Sequence, residues 1–340
     1  MDFDRIIFSH PFRRLQDKTQ VHPLPEHDFV HTRLTHSLEV SSVGRSLGRK
    51  VGEVILQRHP PLAEMVSSHD FGTVVASASL AHDLGNPPFG HSGESGLSDY
   101  FLYGEGQRWK PFFTEPEWAD LTRFEGNAQG FRILNKRQYQ GLRLTAATLG
   151  AFTKYPCPAH FPARSKSLKS QKKFGFFQTE CQVFEEVADQ LQLVSRGEAW
   201  ARHPMAFLVE AADDICYSII DLEDGCRLGL VSLQDTIDLL APIIGGDFKP
   251  EKLNQITGMD EKVGVLRALA IGKLIDDAVN LFLEQEQHIL SGLFDQALTD
   301  SGRFAQPLSA IASLSIERIY RARPVVEKEV AGFEVLPGLL

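Results

Sequence analysis

AHDLGNPPFGHSGE, residues 81–94, stands at the end of a mostly apolar run that begins at Thr73. The length and periodicity of that run predict a helix over about residues 73–84. The run ends in a His-Asp pair, and the glycines and prolines that follow would turn the chain tightly and stiffen it. A second histidine and a glutamate come next, at His91 and Glu94. The stretch therefore joins a helix end to side chains that can bind a metal ion or move a proton.

The His-Asp dipeptide alone carries little information, because it occurs three times in the chain. His27-Asp28 lies in a proline-flanked stretch that we interpret as a loop. His69-Asp70 fits a helix N-terminus, where aspartate is a favoured cap. Context has to separate a site from a coincidence.

The composition is typical of an ordinary globular protein, with 43% hydrophobic and 23% charged residues over 340 positions. We expect one large helical domain. No stretch approaches about 18 uninterrupted apolar residues, and the N-terminus lacks a basic start followed by an apolar signal core. The sequence therefore predicts a cytoplasmic protein without a membrane span.

The net charge of −9 gives the chain no general attraction to nucleic acid. An anionic ligand would need a local concentration of positive charge, a metal ion, or both. The one basic, serine-rich stretch is RSKSLKSQKKFGFF, residues 164–177, and most runs of this kind are solvated loops. We expect core residues without chemistry at the four cysteines, which show no CxxC spacing: Cys157, Cys181, Cys216 and Cys226.

Helical periodicity dominates the chain, and strand signals are few and short. The sequence therefore predicts an all-α fold. Pro204 at the start of the fifth helix and Gly225 just past its end mark the boundaries of that helix. The predicted helices cover about residues 33–57, 73–84, 124–135, 178–193, 204–223, 232–240 and 263–293.

The His82-Asp83 pair needs partners from elsewhere in the chain. Adjacent residues on a helix point about 100° apart, so the two share an ion only near a helix end or at an edge of the bundle. A divalent metal held by imidazole and carboxylate groups also needs ligands from other elements. RLTHSLEV, residues 33–40, offers His36 on the helix face that also carries Arg33.

EAADDICYSIIDLED, residues 210–224, places an acidic stripe on a helix whose other positions are mostly apolar. A solvated surface is the ordinary explanation of such a stripe, but the apolar surroundings weaken it. Neighbouring carboxylates in a partly buried helix are costly unless a cation neutralises them. The stripe consists of Glu210, Asp213, Tyr217, Asp221 and Asp224.

His36, His82-Asp83 and one of Asp213 or Asp214 form the pattern H…HD…D, by which the chain resembles the HD superfamily. More narrowly, it resembles the deoxyguanosine triphosphate triphosphohydrolases (dGTPases). The resemblance covers almost the whole chain, and motifs this long in this order are highly specific. The matching stretches are RRLQDKTQV (13–21), RLTHSLEV (33–40), HDLGNPPFGHSGE (82–94), RFEGNAQGFRIL (123–134), FTKYP (152–156), EAADDICYSIIDLEDG (210–225) and YRARPVVEKEVAGFEV (320–335).

The resemblance implies a single HD-type phosphohydrolase domain over residues 1–340, built as a helical bundle with peripheral helices. Its HD core would cover about residues 30–225, and a helical extension about residues 226–340. Family members generally have additional segments at both ends, so we expect a shortened chain. Such segments carry subunit contacts or effector sites, so a homo-oligomer and an allosteric nucleotide site stay open.

The resemblance also implies a divalent metal ion, Mg²⁺ or Mn²⁺. In related triphosphohydrolases that carry a SAM domain, a tyrosine and an aspartate follow the metal aspartate by four and eight residues and contact the sugar. Tyr217 and Asp221 keep that spacing from Asp213 but not from Asp214. The implied metal ligands are therefore His36, His82, Asp83 and Asp213.

The implied reaction is hydrolysis of a deoxynucleoside triphosphate (dNTP) to a deoxynucleoside and intact inorganic triphosphate. His91 and Glu94 stand three residues apart, which suits one helical turn in which the carboxylate orients the imidazole. They match the catalytic pair proposed for the family. The triphosphate needs cationic partners, for which the candidates are Arg33, Lys154, Lys172 and Lys173.

Recognition of the sugar is implied for three further residues. Gln20 matches a family glutamine near the 3′-hydroxyl, and Asp221 would accept a hydrogen bond from the same group. Tyr217 would pack against the C2′ face and exclude a ribose hydroxyl. Asn127 and Gln129 are readable equally as substrate contacts and as caps or packing partners.

Two other functions stay open. The same metal site would suit a phosphohydrolase that acts on a nucleoside monophosphate or a cyclic dinucleotide, although the sugar-binding residues argue against it. A nucleotide sensor or single-strand nucleic-acid binder with little turnover is motivated by the basic segment 164–173. Base preference also stays open, as does whether His91 deprotonates the attacking water or protonates the leaving 5′-oxygen.

Overall fold

The computed structural model describes residues 1–18, 20–21, 29–136, 141–165 and 167–340. Within these ranges the chain folds into α-helices joined by turns and short 3-10 segments, and two isolated bridges are the only β pairings. The predicted all-α fold is confirmed. The helices are α1 (Asp2–Ile7), α2 (His10–Arg13), α3 (Arg33–Arg58), α4 (Pro60–Ala63), α5 (Ser68–Ala81), α6 (Gly90–Leu102), α7 (Glu115–Thr122), α8 (Gly126–Asn135), α9 (Ala146–Phe152), α10 (Cys181–Gln190), α11 (Pro204–Arg227), α12 (Leu233–Ile244), α13 (Pro250–Gln255), α14 (Met259–Glu284), α15 (Glu286–Leu290), α16 (Leu298–Ser301), α17 (Ala305–Ser315) and α18 (Arg323–Leu339).

Helices α3 and α5 pack closely because glycines line the face of α3 that meets α5. A Cβ on Gly44 would lie 2.5 Å from Ser79 Oγ, and one on Gly48 would lie 2.7 Å from the carbonyl oxygen of Phe71. Only glycine lets the two backbones approach this closely. The helices run antiparallel, so the C-terminal end of α5 lies beside the first turns of α3.

Helix α11 is buried over most of its length and packs against α3, α5 and α14. Its apolar side chains, such as Ile215 and Leu222, belong to the main hydrophobic core. Helix α12 packs against α14 and α17, all three pack on α11, and α14 also reaches α3. The C-terminal helices thereby complete the core that α3, α5 and α11 begin.

The predicted helices are all present, with shifted ends. Helix α3 begins at Arg33 as predicted, whereas the run predicted for 73–84 forms α5, Ser68–Ala81. The long helix predicted over 263–293 is divided at Gln285, whose backbone leaves the helical region with φ −94° and ψ 8°. Periodicity therefore located the helices, while local backbone geometry set their ends.

The role predicted for Gly225 is wrong, because α11 continues through it to Arg227. A Cβ at this position would lie 2.5 Å from Ile319 Cδ1. The glycine is therefore where residues 316–320 approach α11 closely, and it does not end the helix. Pro204 does begin α11, as predicted.

No helix in the described part of the chain combines the length and apolar character needed to cross a membrane. Three of the four cysteines, Cys157, Cys216 and Cys226, are buried, as expected for core residues, and Cys181 is half-buried. The His27-Asp28 pair lies outside the described residues.

Candidate metal centre and active site

The His82-Asp83 pair stands directly beyond the end of α5 at Ala81. His82 Nδ1 lies 2.7 Å from the carbonyl oxygen of Ser79, to which it donates its proton. A hydrogen bond through one ring nitrogen fixes the orientation of a ligating histidine and leaves the other nitrogen available. The free Nε2 of His82 faces α11, where Asp213 lies.

Three side chains converge at this helix end. His36 Nε2, from α3, is 3.1 Å from Asp213 Oδ1 on α11, and His82 Nε2 is 3.4 Å from the same oxygen. The ligand atoms of the three residues all lie within 4.8 Å of one another. Among the described residues, no other group of three or more histidine, cysteine, aspartate or glutamate side chains is spaced to hold a metal ion.

The donor set fits a divalent metal ion. Ligand atoms about 2.1 Å from an ion, at right or tetrahedral angles, lie roughly 3.0 to 3.4 Å apart, and the two nitrogen–oxygen separations are 3.1 and 3.4 Å. Two imidazole nitrogens that face one carboxylate oxygen attract it only when a proton or a metal ion lies between them. The group therefore has both the chemistry and the spacing of a metal site.

The electrostatics of the group also favour a cation. Burial alone would lower the pKa of His82, but the carboxylates of Asp83 and Asp213 outweigh burial and raise the pKa to about 9. Burial alone would raise the pKa of Asp213, yet His82 and His36 hold it well below its ordinary value. Both pKa shifts reflect attraction between the imidazoles and the carboxylates, and the carboxylates supply the negative charge that a cation at this position would meet.

Asp83 borders this group. Its Oδ1 lies 3.5 Å from His82 Nε2 and accepts a hydrogen bond from Asn86 Nδ2, while its Oδ2 lies 2.7 Å from Arg33 Nη1. Lys18 Nζ fixes the same turn by donating to the carbonyl oxygen of Asn86 at 2.6 Å. Arg33, considered above as a phosphate contact, therefore pairs with Asp83 in this structure.

The neighbouring carboxylates Asp213 and Asp214 have different partners. Asp214 Oδ2 accepts a hydrogen bond from Thr299 Oγ1 of α16 at 2.6 Å, and burial raises the pKa of Asp214 to about 6. Asp214 is therefore bound to α16 and does not belong to the group formed by the two histidines and Asp213. The side chain selected by the spacing to Tyr217 and Asp221 is the one that faces them.

An open cavity of about 680 Å³ lies beside the histidine–aspartate group, within the range of roughly 300 to 1,000 Å³ common for small-molecule sites. His36 and Asp221 are buried and do not line it, and Gln129 does not line it either. The residues proposed from the sequence that do line it are Gln20, Arg33, His82, Asp83, His91, Glu94, Asn127, Lys154, Lys172, Lys173, Asp213 and Tyr217.

His91 and Glu94 occupy the first turn of α6 at the edge of this cavity. His91 Nδ1 lies 2.8 Å from Glu94 Oε2, and Glu94 Oε1 accepts a hydrogen bond from the Gly126 N–H at 2.7 Å. The His91 side chain is 86% exposed, whereas that of Glu94 is 11% exposed. A buried carboxylate thus anchors an exposed imidazole, whose second nitrogen is left to move a proton.

Lys154 lies at the cavity wall with a buried counter-ion. Its Nζ is 3.3 Å from Glu210 Oε1, and Glu210 also pairs with the fully buried Arg202 at 2.6 Å. Burial alone would lower the pKa of Lys154, but the Glu210 carboxylate outweighs it and raises the pKa. Lys154 therefore stays protonated beside the histidine–aspartate group.

Part of the basic segment 164–173, of which the structure describes 164–165 and 167–173, borders the cavity, which differs from the solvated loop typical of such runs. Lys169, Lys172 and Lys173 line the cavity. Arg164 turns inward and donates to four backbone carbonyl oxygens. The segment is held in place by these hydrogen bonds, so its positive charge is directed at the site. Binding of single-stranded nucleic acid through it stays a prediction.

Tyr217 stacks on Tyr320, with ring centroids 5.5 Å apart and planes inclined by 25°. The Tyr320 hydroxyl donates to Asp221 Oδ2 at 2.7 Å, and burial raises the pKa of Asp221 to about 8. Tyr320 thus occupies the carboxylate for which the sequence predicted a direct sugar contact. Sequence reasoning missed Tyr320, although it opens the matching stretch 320–335, because nothing in its spacing links it to the H…HD…D pattern.

Two amide side chains proposed from the sequence line the cavity, and they differ in their hydrogen bonding. Gln20 lines it with Oε1 buried and without a hydrogen-bond partner among the described atoms. Asn127 donates from Nδ2 to Glu125 Oε1 at 2.7 Å and also lines the cavity. An unpaired buried acceptor is costly, so Gln20 is the amide that a ligand donor would satisfy.

The sequence profile of the HD domain matches residues 33–114. The deoxyguanosinetriphosphate triphosphohydrolase-like protein of Synechocystis sp. is 46% identical over all of this chain and 78% of its own length. A protein of the same description from Pseudomonas aeruginosa strain LESB58 is 41% identical, over 77% of its length. The deoxyguanosinetriphosphate triphosphohydrolase of Yersinia pseudotuberculosis is 31% identical, over 75% of its length.

These likenesses extend over the whole chain, and the profile match contains the two helices, α3 and α5, that carry the histidines of the candidate metal site. Metal dependence is typical of HD domains, and the histidine–aspartate group is a site of the kind such domains use. The chain is a hydrolase that belongs to the deoxyguanosinetriphosphate triphosphohydrolase family of the HD superfamily.

Proposed function

We propose that this chain hydrolyses deoxynucleoside triphosphates, dGTP among them, to a deoxynucleoside and inorganic triphosphate, with Mg²⁺ or Mn²⁺ as cofactor. One observation carries the proposal. A histidine–aspartate group that fits a metal ion and four lysines border the same cavity. A polyanionic substrate with one reacting phosphorus needs both features.

In this proposal His36, His82, Asp83 and Asp213 hold the ion. A divalent ion bound there supplies a Lewis acid beside the reacting phosphate. The protein keeps these ligands in place through neighbouring contacts: Ser79 orients His82, and Arg33 with Asn86 holds Asp83. The main role of Arg33 in this proposal is to hold Asp83, and contact with the phosphate is its secondary role.

The lysines Lys154, Lys169, Lys172 and Lys173 balance the charge of the triphosphate. Glu210 holds Lys154 in the cavity wall, and Lys173 Nζ is held 3.1 Å from Glu125 Oε1. Lys172 also lines the cavity. Together they would bind the leaving triphosphate as one unit.

His91 moves a proton during the reaction. The oxygen of water bonds to the α-phosphorus, the bond from phosphorus to the 5′-oxygen breaks, and a proton ends on that oxygen. His91 is exposed to the cavity, and Glu94 fixes its ring through Nδ1. The charge of the buried Glu94 stabilises the protonated imidazole during the transfer.

The sugar is recognised at the aromatic wall formed by Tyr217 and Tyr320. Tyr217 closes the C2′ face, which leaves no room for a ribose hydroxyl. The unpaired Oε1 of Gln20 accepts a hydrogen bond from the 3′-hydroxyl. Asp221 acts through Tyr320, whose hydroxyl it holds.

The products of the reaction test this function. The purified protein is incubated with Mn²⁺ or Mg²⁺ and each of the four dNTPs or GTP, and the products are separated by anion exchange. We expect a deoxynucleoside and inorganic triphosphate from one or more dNTPs, and little turnover of GTP. A monophosphate with pyrophosphate, or turnover only of monophosphates or cyclic dinucleotides, would contradict the proposal. Assembly into a homo-oligomer stays a separate prediction, to be tested by sedimentation.

A further inference from the structure

The turn that leads into α6 has an unusual backbone. Phe89, the residue before the helix, has φ 65° and ψ 18°, and Gly90 follows with φ 53°. Glycine adopts such angles without strain, but for a phenylalanine the left-handed region is unfavourable. Surrounding contacts must therefore hold Phe89 in place. His91 is the second residue after it.

The contact that holds Phe89 comes from α18, which packs along α6. A Cβ on Gly332 would lie 2.7 Å from Phe89 Cγ and 2.9 Å from Phe89 Cβ. Across the same interface, a Cβ on Gly93 would lie 3.0 Å from Leu336 Cδ1. The Phe89 side chain thus rests in a notch of α18 that exists because residue 332 has no side chain.

The first turn of α6 is also held from the other side. A Cβ on Gly90 would lie 3.0 Å from Arg33 Nη2, and the Glu94 carboxylate accepts the N–H of Gly126 at the start of α8. Contacts with Arg33, α8 and α18 therefore fix the direction of this turn. Of these three contacts, the one with α18 is made by the Phe89 side chain.

We propose that Phe89, seated in the Gly332 notch, is a positioning residue that sets the place of His91 at the cavity. The same helix α18 supplies Val325 and Glu329 to the cavity wall. It therefore joins one wall of the substrate cavity to the turn that carries the proton-transfer group. This inference rests on the proposed function, because it assigns Phe89 to the same reaction.

A methyl group in the notch would displace Phe89 and tilt the first turn of α6. The metal group and the lysines lie on other elements and would stay where they are. A displacement of a catalytic group by about 1 Å can cost up to roughly a hundredfold in rate. We therefore expect Gly332→Ala to lower kcat for dGTP by that amount, and to leave KM and the affinity for a non-hydrolysable dNTP unchanged.

Two glycine variants serve as matched controls. Gly338 lies on the same helix, and a Cβ added there would meet no atom within 4 Å, so Gly338→Ala repeats the chemical change without the collision. A Cβ on Gly96 would lie 3.6 Å from the Gly332 carbonyl oxygen, so Gly96→Ala adds a methyl to the same interface at an ordinary contact distance. Both should keep wild-type kcat. Melting temperature and metal content verify that each variant is folded and loaded.

Two further variants separate the effect of the Phe89 ring's contact with α18 from the effect of the strained Phe89 backbone. Phe89→Gly removes the ring and fits the left-handed backbone better, yet it should lower kcat because the seat is lost. In that background Gly332→Ala should have no further effect, since no ring is left to collide with the methyl. Phe89 also lines the cavity, so calorimetry with the non-hydrolysable dNTP is compared for the Gly332, Gly338 and Gly96 variants, all of which should keep wild-type affinity.

Equal kcat for Gly332→Ala and Gly338→Ala in folded proteins would overturn the inference. Independent, multiplying effects of Phe89→Gly and Gly332→Ala would overturn it as well, as would loss of analogue affinity with unchanged kcat. Failure of the wild type to release triphosphate from any dNTP would instead refute the proposed function.

Discussion

Two His-Asp pairs lie at opposite ends of helix α5, His69-Asp70 in its first turn and His82-Asp83 directly beyond its last residue, and their surroundings differ. Near the N-terminal end, Asp70 is exposed, and its Oδ2 accepts hydrogen bonds from the Ser67 N–H at 2.8 Å and the Ser67 hydroxyl at 2.7 Å. Beyond the C-terminal end, Asp83 is buried and contacts Arg33 and His82. Asp70 of the N-terminal pair thus bonds to the start of its own helix, whereas His82-Asp83 belongs to a group of residues from several helices.

The difference comes from what the fold brings to each end of α5. The antiparallel α3 presents His36 only at the C-terminal end of α5, and α11 adds Asp213, which lies 177 positions after His36 in the chain. At the N-terminal end, Asp70 bonds back to its own helix start. The same dipeptide therefore supplies a capping-box carboxylate, Asp70, at one end of α5 and candidate metal ligands at the other.

The largest effect is expected for Asp83→Ala. This change removes a carboxylate next to His82 and leaves the buried Arg33 without its partner, so release of triphosphate from dGTP should fall to background. Asp70→Ala in parallel should retain wild-type rates. Steady-state assays at saturating metal make the comparison. Wild-type activity in a folded Asp83→Ala protein would break the distinction between the two pairs.

Loss of proton transfer should be smaller than loss of the metal site. His91→Ala and Glu94→Gln remove the exposed imidazole or weaken its anchor, and each should lower kcat by roughly a hundredfold or more. Metal content should stay at the wild-type level, because neither residue belongs to the metal group. His69→Ala is the matched histidine control. A normal kcat in both variants would reduce the pair to surface residues.

Sugar discrimination should change by a smaller factor again. Tyr217→Ala opens the C2′ face, so the preference for dGTP over GTP, measured as the ratio of kcat/KM values, should fall by roughly ten- to a hundredfold. The penalty on a 2′,3′-dideoxy nucleotide should persist, because Gln20 still lacks its partner. Tyr103→Ala, at an exposed tyrosine away from the cavity, is the control. An unchanged dGTP-to-GTP ratio in a folded Tyr217→Ala protein would remove this residue from the site.

The smallest effect is expected for Asp70 of the His69-Asp70 pair, and it concerns stability. Asp70, the third residue of α5, closes a capping box with the N-cap Ser67, and Asp70→Ala should lower the free energy of unfolding by about 0.3 to 1.5 kcal/mol. The Ser67 hydroxyl and N–H hold the pKa of Asp70 below its ordinary value of 3.8. This stabilisation is therefore present at neutral pH and is lost as the pH falls through the folded-state pKa. Urea titrations of wild type and variant at pH 7 and pH 3 would measure it, and a difference that persists unchanged at pH 3 would contradict the assignment.

Much of the site follows from local sequence patterns. Helical periodicity located α3, α5 and α11 and placed the acidic stripe on one face of α11, whereas the choice of Asp213 over Asp214 came from the resemblance to related triphosphohydrolases. The helices and the stripe depend on which residues share a helix face, and that information lies within a few turns of chain.

Other features depend on packing that local patterns do not contain. The pairing of Arg33 with Asp83 and the hydroxyl of Tyr320 on Asp221 are contacts between distant segments. Gly225 had the local character of a helix stop, but its role is the close approach of Ile319. In the sequence Lys169 is one of several charges in a basic run, and only the fold shows that it lines the cavity.

The central claim is that His82-Asp83, and not His69-Asp70, holds a metal ion that the hydrolase needs. Elemental analysis of wild type, His82→Ala and His69→Ala, purified side by side and dialysed against the same Mn²⁺ buffer, tests it most directly. The structure predicts equal metal content in wild type and His69→Ala, and loss of the bound metal in His82→Ala. Metal retained at the wild-type level in a folded His82→Ala protein would contradict the claim.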